Sequence, residues 1–141
     1  MKRLHLALIF PFFLTCFSAS AEQVSIKPQT QGEVIFVTGG VGTDEQQAMK
    51  DMKSEYNLSL LFSEKGTGEY LSDLKVSIKD AKGNVCLEAV SDGPMLFAKL
   101  KPGRYSVTVD RNGDVIDKHV NLEGQKHVSL SLSWPQQKAS M

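Results

Sequence analysis

From residue 58 onward the hydrophobic period of this chain is two. Leu58, Leu60 and Phe62 stand out from polar neighbours, and Leu74, Val76 and Ile78 alternate with Lys75, Ser77 and Lys79. Val85, Leu87 and Ala89 alternate with Cys86, Glu88 and Val90, and Tyr105, Val107 and Val109 with Ser106, Thr108 and Asp110. Val128, Leu130 and Leu132 alternate with serines. Successive strand side chains point to opposite faces, so each run has one oily and one wet side. Turn signals separate the runs: Asp80-Ala81-Lys82-Gly83, Asp92-Gly93-Pro94, Pro102-Gly103, Asn112-Gly113 and Glu123-Gly124. Asn-Gly supplies the left-handed angles that a two-residue hairpin needs. With the segments around 95–100 and 115–122, seven strands follow at intervals of about ten residues, which predicts a mainly β, antiparallel, seven-stranded β-sandwich over residues 58–134. Residues 135–141 read as a flexible tail.

Upstream of residue 58 the pattern changes. Residues 22–33 are polar and read as an arm, and Val34-Ile35-Phe36-Val37 suits a short strand. Residues 43–56 read as one N-terminal amphipathic α-helix, with Ala48, Met49, Met52 and Tyr56 on a single stripe. Thr43 and Gln46 have the spacing of a capping box, and Asp44 and Glu45 suit the positive end of the helix dipole. Asn57 reads as the stop, through its tolerance of left-handed angles.

The first residues predict export. Lys2-Arg3 precede an apolar run over 4–17, and Ser18-Ala19-Ser20-Ala21 offers the small residues of a cleavage site. About 14 apolar residues fall short of the ~20 that a spanning helix needs. A signal peptide over 1–21, cleaved after Ala21, places the mature chain in the periplasm or outside, with no membrane insertion; a lipoprotein acylated on Cys16 is the other form considered. Cleavage leaves 120 residues and, with histidines neutral, a net charge of −2. That balance gives no attraction to nucleic acid. Cys86 is then the sole cysteine, expected as a buried, inert thiol.

Part of the chain resembles a known family. Asp73-Leu-Lys-Val76-Ser-Ile78-Lys-Asp80-Ala-Lys-Gly83, Ser91-Asp-Gly93 and Phe97-Ala-Lys-Leu100-Lys-Pro102-Gly103-Arg-Tyr105-Ser-Val107-Thr-Val109 resemble carboxypeptidase regulatory-like domains. The resemblance implies a transthyretin/immunoglobulin-like sandwich with no peptidase activity of its own. Gly39-Gly40-Val41-Gly42, Asp44-Glu45 and Tyr56-Asn57-Leu58 are similar to a group of exported bacterial proteins of unassigned role, in which a capped helix precedes that sandwich.

Chemistry-bearing motifs are sparse. His119 and His127 fall on adjacent predicted strands and could face each other, so a two-histidine metal contact competes with two surface histidines. No Gly-x-Ser-x-Gly elbow is present, and the chain ends Gln-Gln-Lys-Ala-Ser-Met rather than in the terminal motif of transthyretin-like hydrolases. Tyr56, Tyr70 and Trp134 read as packing residues before a sugar platform. The glycine run between strand and helix lacks a P-loop lysine and the dinucleotide glycine pattern. Gly39, Gly40, Val41, Gly42, Asp44 and Glu45 therefore read as a structural turn, or as a partner-contact loop, ahead of an anion site. The expected function is a non-enzymatic binding or accessory module of the bacterial envelope, with no catalytic residue, metal or cofactor. A small periplasmic hydrolase and a structural subunit of an envelope complex are the alternatives. On this reading Gly40 and Asp44 are exchangeable without loss of the fold.

Overall fold

The computed structural model describes residues 26–124 and 126–137. The expected signal peptide, Cys16 and the last four residues lie outside them. Among the described residues nine strands form two sheets: β1 (Gln29–Gln31), β2 (Val34–Gly39), β3 (Leu58–Glu64), β4 (Lys75–Asp80), β5 (Val85–Val90), β6 (Met95–Lys99), β7 (Arg104–Arg111), β8 (Asp114–Asn121) and β9 (Val128–Trp134). The order is β1-β2-β6-β3-β9 in one sheet and β5-β4-β7-β8 in the other. All pairings are antiparallel except β3 with β9.

The strand count is nine rather than seven. All seven runs after residue 58 are strands, and the two additions lie upstream. β2 pairs with β6 from Ile35↔Lys99 to Gly39↔Met95, and β1 folds back on β2 around Gly32. Neither has a clear period of two. β2 is buried except at Ile35, so it reads as a near-continuous apolar run, and β1 is exposed throughout.

One core lies between the sheets. Leu58, Leu60, Phe62, Leu96 and Ala98 of the five-stranded sheet meet Val76, Ile78, Leu87, Val107 and Val109 of the other. Trp134 packs on Phe62 with ring centroids 6.1 Å apart, and its indole N–H donates to the Asp114 carbonyl. Tyr105 sends its hydroxyl back to the Lys101 carbonyl at 2.6 Å, fixing the Pro102-Gly103 corner. Arg111 reaches across the layers to Glu64 at 3.1 Å, with both side chains largely buried.

A second core covers the outer face of the larger sheet. α1 (Gly42–Met52) and a 3₁₀ turn (Lys53–Glu55) lay Met49 and Tyr56 on Val37, Met95 and Phe97. β6 is therefore buried on both faces, which explains its unbroken Met-Leu-Phe-Ala run.

Three local expectations need correction. α1 starts at Gly42 with Val41 as its cap, and no side chain makes a cap hydrogen bond. Thr43 thus falls inside the helix and the capping box does not form. The α-helix stops at Met52, and Tyr56 is extended. Asn57 is not left-handed; its side-chain amide instead bonds the N–H and the C=O of Leu100, at 2.9 and 2.7 Å. The third correction concerns Cys86, which is half-buried. A bulge between Ile78 and Lys79 shifts the phase of β5, so Val85 emerges and Cys86 turns partly inward.

Candidate functional site

The loop that joins β2 to α1 is held from behind by the β5–β6 loop. Thr38, buried, donates through Oγ1 to the Met95 carbonyl at 2.9 Å and accepts from the Asp92 N–H at 3.0 Å. Gly93 lies so close to Gly39 that a Cβ there would run into the Gly39 carbonyl. Gly40 has φ +100°, and a Cβ on it would press on Met95 at 3.2 Å and Pro94 at 3.4 Å. Two loops far apart in sequence thus interlock through glycine backbone.

The six residues singled out from sequence divide accordingly. Gly39 and Gly40 are buried joints, and Glu45 folds back so that its Oε1 lies 3.2 Å from where a Gly39 Cβ would be. Val41, Gly42 and Asp44 face solvent, with Val41 55% exposed. Gly40 is therefore a poor site for a neutral substitution, contrary to the expectation from sequence. Asp44 and Glu45 occupy the first turn of α1, where their charge meets the helix dipole.

The structure adds an arrangement with no sequence signal. Ser59 Oγ lies 2.6 Å from Nε2 of His127, whose Nδ1 lies 2.7 Å from the Tyr56 carbonyl oxygen. With the proton on Nδ1, the ring donates to Tyr56 and accepts from the serine, the order of a nucleophile, a base and an orienting group. Ser59, on β3 between Phe97 of β6 and Ser129 of β9, is only 5% exposed, while His127 is exposed and lines a groove of about 810 Å³ that includes Pro28, Ile35, Asn57 and Lys99. The pair is separated by 68 residues, and neither partner sits in a recognisable motif.

The other candidates are apart. His119 is on β8 opposite Ser106, in the other sheet from β9, so the two histidines are not on adjacent strands. Cys86 has its thiol pushed up by burial and then by the nearby Asp80 charge. Tyr56 packs on Phe97, Trp134 is buried, and Tyr70 is half exposed beside a bridge to Ser63, so the three aromatic rings form no common face. Among the described residues no three His, Cys, Asp or Glu side chains come together as a metal-ligand group, and no helix is long and apolar enough to cross a membrane. Compared with protein-family models and with curated proteins, the chain matches none.

Proposed function

We propose that this chain is an exported, non-enzymatic binding or accessory module of the bacterial envelope, built on a transthyretin/immunoglobulin-like sandwich. The observation that carries the reading is the loop over residues 39–45. Its inner half is locked by Thr38 and Gly93, while Val41 and Asp44 stand in solvent on the fixed backbone. Such a loop loses little conformational entropy on binding, which favours recognition of a partner. The apolar tip with its acidic neighbour suits an envelope protein that presents an apolar socket beside a basic residue. The Tyr105–Lys101 corner bond supports the sandwich type, because that type places a tyrosine hydroxyl on backbone a few residues upstream.

The test is crosslinking in intact cells followed by pull-down, comparing the parent with Val41→Asp and Asp44→Lys. Loss of the same crosslinked species from both variants, with unchanged circular dichroism, supports the reading. Unchanged crosslinks remove the loop from consideration.

A second reading, a small hydrolase, is favoured by Ser59 and His127. In that reaction the Ser59 oxygen attacks an ester carbonyl as its proton passes to Nε2 of His127, and the alcohol leaves with that proton as the ester C–O bond breaks. Water, deprotonated by His127, then releases the acid and restores the serine. A fluorophosphonate probe separates the two readings, since fluoride leaves as the serine oxygen bonds to phosphorus. Labelling abolished by Ser59→Ala and His127→Ala favours the hydrolase; an unlabelled folded protein leaves the pair as a structural clasp.

A further inference from the structure

A sheet edge presents unpaired N–H and C=O groups, and proteins blunt such edges with shortness, bulges, charge or proline. The two sheets here have four edges. β1 has three residues, β5 is bulged and carries Glu88, and β8 carries Asp114, Asp117 and Lys118. β9 has none of these protections: its seven residues, VSLSLSW, include no charge and no proline.

The open side of β9 is identified by its ladder. Val128 N–H donates to the Asn57 carbonyl, and Lys65 N–H donates to the Trp134 carbonyl. Residues 128, 130, 132 and 134 therefore turn their backbone groups toward β3, and Ser129, Ser131 and Ser133 turn theirs outward. Among the described residues no side chain bonds those three backbones. On the inner face beside them, Val128 and Leu130 remain only partly covered by the core.

We propose that β9 is the contact of a homodimer, in which a second copy pairs antiparallel about a twofold axis at Ser131. The two five-stranded sheets then become one continuous sheet. The occupant follows from the strand itself. Residues 129–133, Ser-Leu-Ser-Leu-Ser, read the same in both directions, so the axis brings Ser131 to Ser131, Ser129 to Ser133 and Leu130 to Leu132 of the second copy. About six backbone hydrogen bonds form. No like charges meet, and the partly covered apolar edge is closed by the same edge of the other chain. A foreign strand would find no charge on β9 to select it.

The test is sedimentation velocity on purified protein expressed from the full chain, over roughly micromolar to millimolar concentration because one edge is a small interface. A monomer–dimer equilibrium is expected, with Ser129, Ser131 and Ser133 amides exchanging more slowly as dimer forms. Ser131→Pro removes an outward donor without touching the β3 ladder and is expected to weaken dimerisation at least tenfold at unchanged circular dichroism. Ser131→Lys, a second variant, places like charges on the axis and should weaken it most at low salt. A monomer at every concentration, or a dimer indifferent to the folded variants, overturns the proposal. So does protection of these amides only when a different protein is bound. The loop over residues 39–45 is not involved, so either proposal can fail alone.

Discussion

Asn57 joins the helical layer to the sheet as though it were one more strand residue. Its amide matches the donor and acceptor of the Leu100 backbone, which lies just beyond β6. Asn57→Ala leaves both groups of Leu100 without a protein partner, and each partly buried loss costs about 1–1.5 kcal/mol. A destabilisation of about 2–3 kcal/mol is expected in urea titration, and a loss under 0.5 kcal/mol would mean that water replaces the amide at no cost. The sequence marked Asn57 as a boundary, for a reason the structure replaces: the boundary is held by a long-range side-chain bond, which local spacing does not encode. Cys86 is a parallel case. Its alternation was legible, but the bulge that half-turns it inward depends on pairing with β4. Because burial and then the Asp80 charge raise its thiol, iodoacetamide should modify folded protein near pH 8 more slowly than protein in guanidinium. The rates should converge as pH rises well past the usual thiol range, and equal rates at pH 8 would contradict the assignment.

Elements were legible in proportion to how differently their two faces are treated. β4 and β7 alternate cleanly because one face meets the core and the other meets water, with Tyr105, Val107 and Val109 of β7 buried and the residues between them partly exposed. β6 is covered on both faces and β2 is buried except at Ile35, so their pattern shows apolarity without phase. α1 was visible through Met49, Met52 and Tyr56, yet its first residue and its cap were not. An N-terminus fixed by the interlocked glycine loops leaves Thr43 inside the helix, whatever its capping propensity. The layer rests largely on Met49, its fully buried residue. Met49→Ala should cost about 2–4 kcal/mol. Hydrogen exchange should show the loss first over residues 42–55, with β4 and β7 still protected. Equal loss of protection in both sheets would show that the two cores unfold as one.

At the scale of the whole molecule, the two sheets share an apolar core, and Arg111 to Glu64, a largely buried ion pair, is among the polar links that tie them. The same guanidinium also donates to the Pro135 carbonyl at 3.3 Å, beside the point where Lys65 N–H meets the Trp134 carbonyl. The end of β3, the end of β7 and Pro135, just past β9, are thus gathered at one corner. Sequence shows Arg111 and Glu64 only as ordinary surface charges, since each closes a strand; their separation of 47 positions hides the pairing. For such a pair the attraction is offset by desolvation, so the pair as a whole contributes little while either member alone is costly. Glu64→Gln and Arg111→Met are each expected to lose about 1–3 kcal/mol, the range for hydrogen bonds to charged groups and for buried groups left unpaired. The double variant should lose less than the sum, with a coupling of about 1–2 kcal/mol measured by urea unfolding. Strict additivity would place both side chains in solvent in the native ensemble, and the corner would then rest on Trp134, which packs on Phe62, donates to the Asp114 carbonyl and accepts from Lys65 N–H.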